Sequence, residues 1–147
     1  MADIREISAL DAHPLRRAVL RGGDPASDLH YPQDDNPDSF HLGAFDDDGT
    51  LVGVASFTPA ETPYRAGVAA WQLRGMAVAP ESQGSGLGAA VIAAAVDRIR
   101  STGAPVLWCN ARDTAVGFYD GLGFIVHGDG FVTPDSGLPH HVMVLDL

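Results

Sequence analysis

The chain of 147 residues contains no lysine. All nine basic side chains are arginine, against nineteen acidic ones, giving a formal charge of −10. A surface of that sign repels phosphate backbones, which argues against a nucleic-acid partner and is compatible with an amine-bearing one. Cysteine is almost missing too: Cys109 is alone and forms no internal disulfide, so a reducing cytoplasm is the expected compartment. Long apolar runs are also absent. The longest, residues 89–96, falls far short of a bilayer span, so no membrane association is expected. The opening Met1-Ala2-Asp3-Ile4-Arg5-Glu6 lacks the basic-then-apolar order of a signal peptide. What is present, 46% apolar residues, suffices for one globular core, and the expectation is a single domain over residues 1–147.

Patterning along the chain alternates strand and helix signals. Residues 3–7 alternate weakly as a first strand. A helix should follow, capped by Asp11 or His13 before Pro14, with Leu15, Val19 and Leu20 on one side and Gly22-Gly23 ending it. Three prolines and five aspartates make residues 24–38 a loop, with Asp34, Asp35 and Asp38 read as solvated, the lesser alternative being that they line an amine-binding mouth. Residues 40–45 and 51–57 flank Asp46-Asp47-Asp48-Gly49, the chain's best hairpin signal. A second loop, residues 58–67, leads to a strand over 68–78 that Pro80 stops. A glycine-rich turn then opens a helix running to about Arg100, with Leu87, Val91, Ala95 and Ile99 along one stripe. Residues 106–109 read as a buried strand, 111–119 as a short helix, and 124–127 and 141–145 as closing strands. The order describes a mixed α/β sandwich with helices on both faces of one sheet.

The glycine-rich turn, Gln83-Gly84-Ser85-Gly86-Leu87-Gly88, sits between a strand and a helix. Glycines there let a ligand approach the backbone, and the unpaired amides of a first helical turn favour phosphate or pyrophosphate. An acidic protein can hold a polyanion this way without a basic patch. No Gly-Lys-Ser/Thr follows, which excludes the nucleotide-triphosphate loop. A dinucleotide fingerprint would need a carboxylate about 20 residues on, yet the next strand ends in Cys109-Asn110 and no acid lies between Asp97 and Asp113. The aspartates at 46–48 do not make a calcium loop, because Phe57 stands where a bidentate glutamate is required. Cys109 sits in an apolar run and reads as a buried structural thiol. No metal is expected.

Residues 74–88, Arg-Gly-Met-Ala-Val-Ala-Pro-Glu-Ser-Gln-Gly-Ser-Gly-Leu-Gly, resemble the acetyl-CoA motif of the GNAT superfamily of acyltransferases, whose core falls here on Gln83, Gly86 and Gly88. Asn110-Ala111-Arg112, Ala115, Phe118-Tyr119 and Leu122-Gly123-Phe124 resemble that family's second motif, correctly spaced from the first. Together they cover roughly residues 68–127. The resemblance implies a GNAT-like α/β fold: a mixed, mostly antiparallel sheet with a splayed central strand pair and helices on both faces. It further implies that the pantetheine arm of acetyl-CoA pairs with the backbone of Met76, Ala77 and Val78. The pyrophosphate would rest on amides from Gly84, Ser85, Gly86, Leu87, Gly88 and Ala89. Gln83 would assist without the charge of the arginine other members carry, and Asn110 and Phe118 would complete the donor site.

The activity so implied is N-acetylation of a primary amine by direct attack in a ternary complex. The Val78 N–H would steady the oxyanion and Tyr119 would protonate the leaving thiolate. The amine's proton needs an acceptor, for which Glu61, His41, His140, His141 and water stand open; Pro139-His140 resembles a feature of some GNAT subgroups, which favours His140. His140 and His141 are adjacent, so in a strand they face opposite ways and make a poor metal pair. The acceptor's identity is open between small amine, amino acid, antibiotic and peptide. Two rival readings are a non-catalytic acyl-CoA-sensing module and a structural dimerisation domain with a closed slot. A homodimer is expected from the family and from the apolar C-terminal segment, residues 141–147.

Overall fold

A computed structural model describes residues 3–147. The chain enters through β1 (Asp3–Ile7) and turns at Ser8 into α1 (Ala9–Leu15). The cap is Ser8, not Asp11 or His13. The Ser8 hydroxyl accepts the Asp11 N–H while the Asp11 carboxylate accepts the Ser8 N–H, a reciprocal box that hydropathy does not reveal. Pro14 therefore lies inside the helix. It has no N–H for the Leu10 carbonyl, and directly beyond it the chain widens into a π turn over Arg16–Leu20. Gly22 and Gly23, both at positive φ, end the helical run as expected.

The hairpin forms where the aspartates and Gly49 place it, between β2 (Phe40–Phe45) and β3 (Leu51–Pro59). Gly49 takes φ +78°, and the Asp46 carboxylate accepts the N–H groups of Asp48 and Thr50, so the tip is held by its own side chain. Then follow β4 (Ala70–Val78), a 3-10 turn over Pro80–Ser82, α2 (Leu87–Ser101), β5 (Val106–Arg112), α3 (Val116–Gly121), β6 (Ile125–Val132) and β7 (Pro139–Asp146). The last two strands are longer than their hydropathy indicates, because Gly128, Asp129 and Gly130 continue β6 through a register irregularity. Pro139 opens β7, a position where a missing N–H is tolerated.

Seven strands make one mixed sheet in the order β1-β2-β3-β4-β5-β7-β6. The β4–β5 pair is parallel, aligning Ala70 with Val106 through Leu73 with Cys109. The pairs β1–β2, β2–β3, β5–β7 and β6–β7 are antiparallel. The chain divides into two compact units, one holding the residues up to Thr58 with Arg74–Arg98, the other holding Pro59–Leu73 with Ile99–Leu147. In the first, Ala12, Val54 and Ala77 form a buried nucleus covered by Ile7, Leu15, Val19, Leu20 and Leu51, and Phe40 stacks on Phe57 at 5.0 Å. In the second, Ala70, Val106 and Val144 pack with Val68, Trp108 and Val142, and the Trp108 indole N–H donates to the Ala60 carbonyl. The stripe expected on α2 is buried at Val91, Ala95 and Ile99. The apolar C-terminal strand is interior to the sheet, paired with β5 on one side and β6 on the other. Met143 and Val144 on it are buried.

Candidate active site

In the first unit β4 delivers the chain to the head of α2. The Ala79 N–H donates to the Val52 carbonyl on β3. Peptide groups alternate along a strand, so those of Met76 and Val78 face away from β3. Ala77 points its methyl into the core, and Met76 and Val78 are half-buried. The 3-10 turn reverses the chain, its Ser82 N–H donating to the Ala79 carbonyl, and the glycine-rich turn follows. Gly84 and Gly86 take φ +77° and +84°, which only glycine adopts without strain, and a Cβ on either would meet open space. Ala90 makes the first backbone bond of α2, to the Gly86 carbonyl. Among the described residues the amides from Gly84 to Ala89 have no backbone acceptor outside the helix, so they are available to an anion. The Gln83 side chain is engaged: its amide donates to the Val78 carbonyl. Ser85 likewise turns its hydroxyl back to the Ser82 carbonyl.

The second unit carries the other motif. Asn110 lies exposed on β5, opposite Val142. Past the 3-10 turn at Asp113–Ala115, α3 places Tyr119 with its ring buried between Phe118 and Phe124, at centroid distances of 5.0 and 5.3 Å. Burial, helped by the nearby Cys109, pushes the phenol well above its ordinary pKa, so it is protonated. Among the described residues nothing hydrogen-bonds its hydroxyl. Cys109 itself is buried, and desolvation pushes the thiol up to about 12, an inert state.

His140 and His141 diverge as strand geometry requires. His140 is buried, stacked on Phe131 at 6.0 Å, with Nδ1 2.7 Å from the Leu138 carbonyl. A carbonyl only accepts, so Nδ1 carries a hydrogen, and in the neutral ring the lone pair is on Nε2. His141 is half-buried and its Nδ1 lies 2.7 Å from the Asp113 carboxylate. Glu61 is exposed. His41 is in the other unit, with Nδ1 2.6 Å from the Ser56 hydroxyl.

That last contact belongs to a cluster the sequence did not disclose. Arg16 is 1% exposed; its guanidinium donates to the Leu29 carbonyl, to both oxygens of Asp34, and to the Ser56 hydroxyl. Asp34 is thus not solvated, its side chain being 2% exposed. Burial alone would raise its carboxyl, but the hydrogen bonds from Arg16 and the Tyr31 N–H, with the charges of Arg16 and His41, hold it below the usual range. Asp35 and Asp38 are exposed as expected. The only sequence hint to the cluster was an arginine on the apolar side of a helix. Ligand atoms of His13, His30 and Asp34 gather within 4.8 Å, the one such metal-compatible group among the described residues. Asp34 Oδ2 already accepts from Arg16 and the Tyr31 N–H, and His30 Nε2 lies 2.9 Å from Asp35. Asp34 and His30 are thus already engaged, while His13 Nε2 is buried without a partner. No helix among the described residues is long and apolar enough to cross a membrane.

Comparison with known proteins accords with this arrangement. The model of the acetyltransferase (GNAT) family matches residues 6–124. The uncharacterized N-acetyltransferase YitI of Bacillus subtilis (strain 168) is 33% identical over 144 residues, spanning 98% of this chain and 95% of that protein. Among solved structures, FeeM, an N-acyl amino acid synthase from uncultured soil microbes, superposes with a TM-score of 0.82 at 16% identity over 99% of this chain and 91% of that one. Escherichia coli ElaA does so with a TM-score of 0.74 at 17% identity, over 98% and 99%. At those identities the structures speak for the fold, and the family match and the Bacillus relative for the activity: the chain belongs to the GNAT acetyltransferase family and is an N-acetyltransferase, an acyltransferase whose family uses acyl-CoA as co-substrate.

Proposed function

We propose that the protein moves an acetyl group from acetyl-CoA to a primary amine by direct attack, without a covalent acyl-enzyme. The observation that carries the donor assignment is the open turn at the head of α2. Two left-handed glycines, at each of which a Cβ would have no atom within 4 Å, border amides that lack acceptors. Amides from Gly84, Ser85, Gly86, Leu87, Gly88 and Ala89 hold the pyrophosphate, and the outward peptide groups of Met76 and Val78, with Ala77 between them, receive the pantetheine. Asn110 and Phe118 contribute to the same ligand. Gln83 acts through the Val78 carbonyl it already holds rather than on phosphate.

In the transfer, the amine nitrogen forms a bond to the thioester carbon and the carbon–sulfur bond breaks. The Val78 N–H steadies the oxyanion between those events. The proton lost by nitrogen goes to Nε2 of His140, whose free lone pair is set by the Leu138 carbonyl. Tyr119 donates its hydrogen bond to the departing sulfur. Its raised pKa keeps the donor protonated but makes full proton transfer to a thiolate of pKa about 8.5 unfavourable, so its contribution falls at the low end for a general acid.

The test is calorimetry with acetyl-CoA followed by thiol-release assays on an amine panel. Binding with turnover on at least one amine is expected. Binding without turnover on any would favour the sensing module, and no binding the structural reading.

A further inference from the structure

Wholly within the first unit, α1 and the segment beyond Gly22-Gly23 bring His13, His30 and Asp34 together, one ligand atom of each lying within 4.8 Å of the other two. Each side chain is in a state that suits ligation. His13 Nε2 is buried and has no partner, so a desolvated ring nitrogen stands unsatisfied. Burial, followed by the charge of Arg16 and opposed by that of Asp34, lowers the pKa of His13, and the neutral ring is the form that binds a metal. His30 is held from its far side. Its Nε2 lies 2.9 Å from Asp35 Oδ1, and a carboxylate only accepts, so Nε2 carries a hydrogen. In the neutral ring the lone pair is then on Nδ1, which lies 3.7 Å from Asp34 Oδ2. A carboxylate behind a histidine is the arrangement that orients metal-binding imidazoles.

Asp34 accepts from Arg16 Nη1 and the Tyr31 N–H on Oδ2 and from Arg16 Nη2 on Oδ1, three of the roughly four hydrogen bonds a carboxylate can take. Carboxylates that ligate metals are themselves hydrogen-bonded in this way. Charge around the group favours a cation. Arg16 and Arg17 bring two positive charges near His13, against three negative ones from Asp34, Asp35 and Asp28, whose carboxylate accepts the His30 N–H. Two imidazoles and one carboxylate suit zinc and its neighbours rather than magnesium or calcium. A tetrahedral zinc with bonds of about 2.0–2.2 Å spaces its ligand atoms about 3.4 Å apart, so the three must close by about 1.4 Å at most. His30 can make that movement: its side chain is 46% exposed and it lies outside any helix or strand.

We propose that His13, His30 and Asp34 bind one divalent transition cation of the zinc type, with water in the fourth position and Asp35 orienting His30. The ion ties the segment carrying His30 and Asp34 to α1. The site goes beyond the acetyltransferase reading and does not depend on it.

The test is calorimetry on the untagged full chain, stripped with a chelator and titrated with zinc chloride or with magnesium chloride, alongside urea unfolding at several zinc concentrations. One zinc per chain is expected and no magnesium, with an unfolding midpoint that rises with the logarithm of zinc concentration. His30→Gln, at an exposed position, should remove the binding event without disturbing the fold, and His13→Gln should remove it too. Asp35→Ala, which takes away the group behind the imidazole and no ligand, should weaken zinc about 10–100-fold. Zinc affinity equal to wild type in His30→Gln would overturn the proposal, as would magnesium bound as tightly as zinc. No zinc uptake by the wild-type chain at millimolar zinc would overturn it as well. So would a midpoint that falls as zinc is added, the mark of a cation that prefers the histidines of the unfolded chain.

Discussion

A phenol with a buried ring and an unpartnered hydroxyl can be tested with little structural disturbance. Tyr119→Phe keeps the contacts with Phe118 and Phe124 and deletes one hydroxyl that no described group bonds. Stability should hardly change. Loss of a general acid costs about 10²–10⁴ in rate, and the raised phenol pKa argues for the lower figure. The fall should appear in kcat with acetyl-CoA affinity intact; full activity would remove the role. His140 is separable from its neighbour by the same logic. His140→Ala should depress kcat and leave CoA binding unaltered, whereas His141→Ala, which breaks only the contact with Asp113, should leave kcat near wild type in steady-state assays. Sequence spacing indicated that the two side chains diverge; the structure shows what each Nδ1 meets, the Leu138 carbonyl for His140 and the Asp113 carboxylate for His141.

Elements are where backbone conformation decides. Gly86→Glu puts a carboxylate at φ +84° in the open face of the turn. CoA affinity measured by calorimetry should drop strongly in a correctly folded variant, through charge repulsion and lost left-handed geometry. Gly75 offers the opposite test. It takes φ +61°, and a Cβ there would stand 2.9 Å from Tyr31 Cε2 and 3.1 Å from Arg16 Nε. Gly75→Ala should therefore cost about 1–3 kcal/mol of stability, read from the denaturant midpoint, with the buried arginine cluster disturbed. A midpoint equal to wild type would show that the cluster yields freely.

For the molecule as a whole, the buried charges make stability depend on acid. Burial, reinforced by Arg16 and opposed by Asp34, lowers the pKa of His41; burial and Arg16 lower that of His13. Groups held neutral in the folded state contribute stability that is present above about pH 6.5, their unfolded value, and is lost as pH falls toward the lowered folded one. Asp34, held below the usual range by Arg16 against its burial, adds a contribution present above about pH 3.9 and lost as pH falls through its folded pKa. Urea unfolding should accordingly show two acid-side declines. His41→Gln should shrink the first without abolishing it, since His13 shares it. A free energy constant from pH 8 to pH 5 would contradict this.

Local chemistry alone was enough for the elements whose signals are local. The hairpin followed from Asp46-Asp47-Asp48-Gly49, the buried stripe of α2 from its helical spacing, and the turn before α2 from glycines that take positive φ. The family also followed, because its motifs are short, contiguous stretches at a fixed separation. Tertiary structure decided what depends on partners distant in the chain. Arg16 and Asp34 read separately as a helix residue and a loop acid, and only folding brings them, with Ser56, into one desolvated network. There a buried charge must be paired, a requirement that no spacing rule expresses, and Asp34 pairs that of Arg16 although the Arg16 Nε–H finds no acceptor among the described residues. Sequence likewise shows β7 only as an apolar strand, and its neighbours β5 and β6 are assigned by tertiary structure.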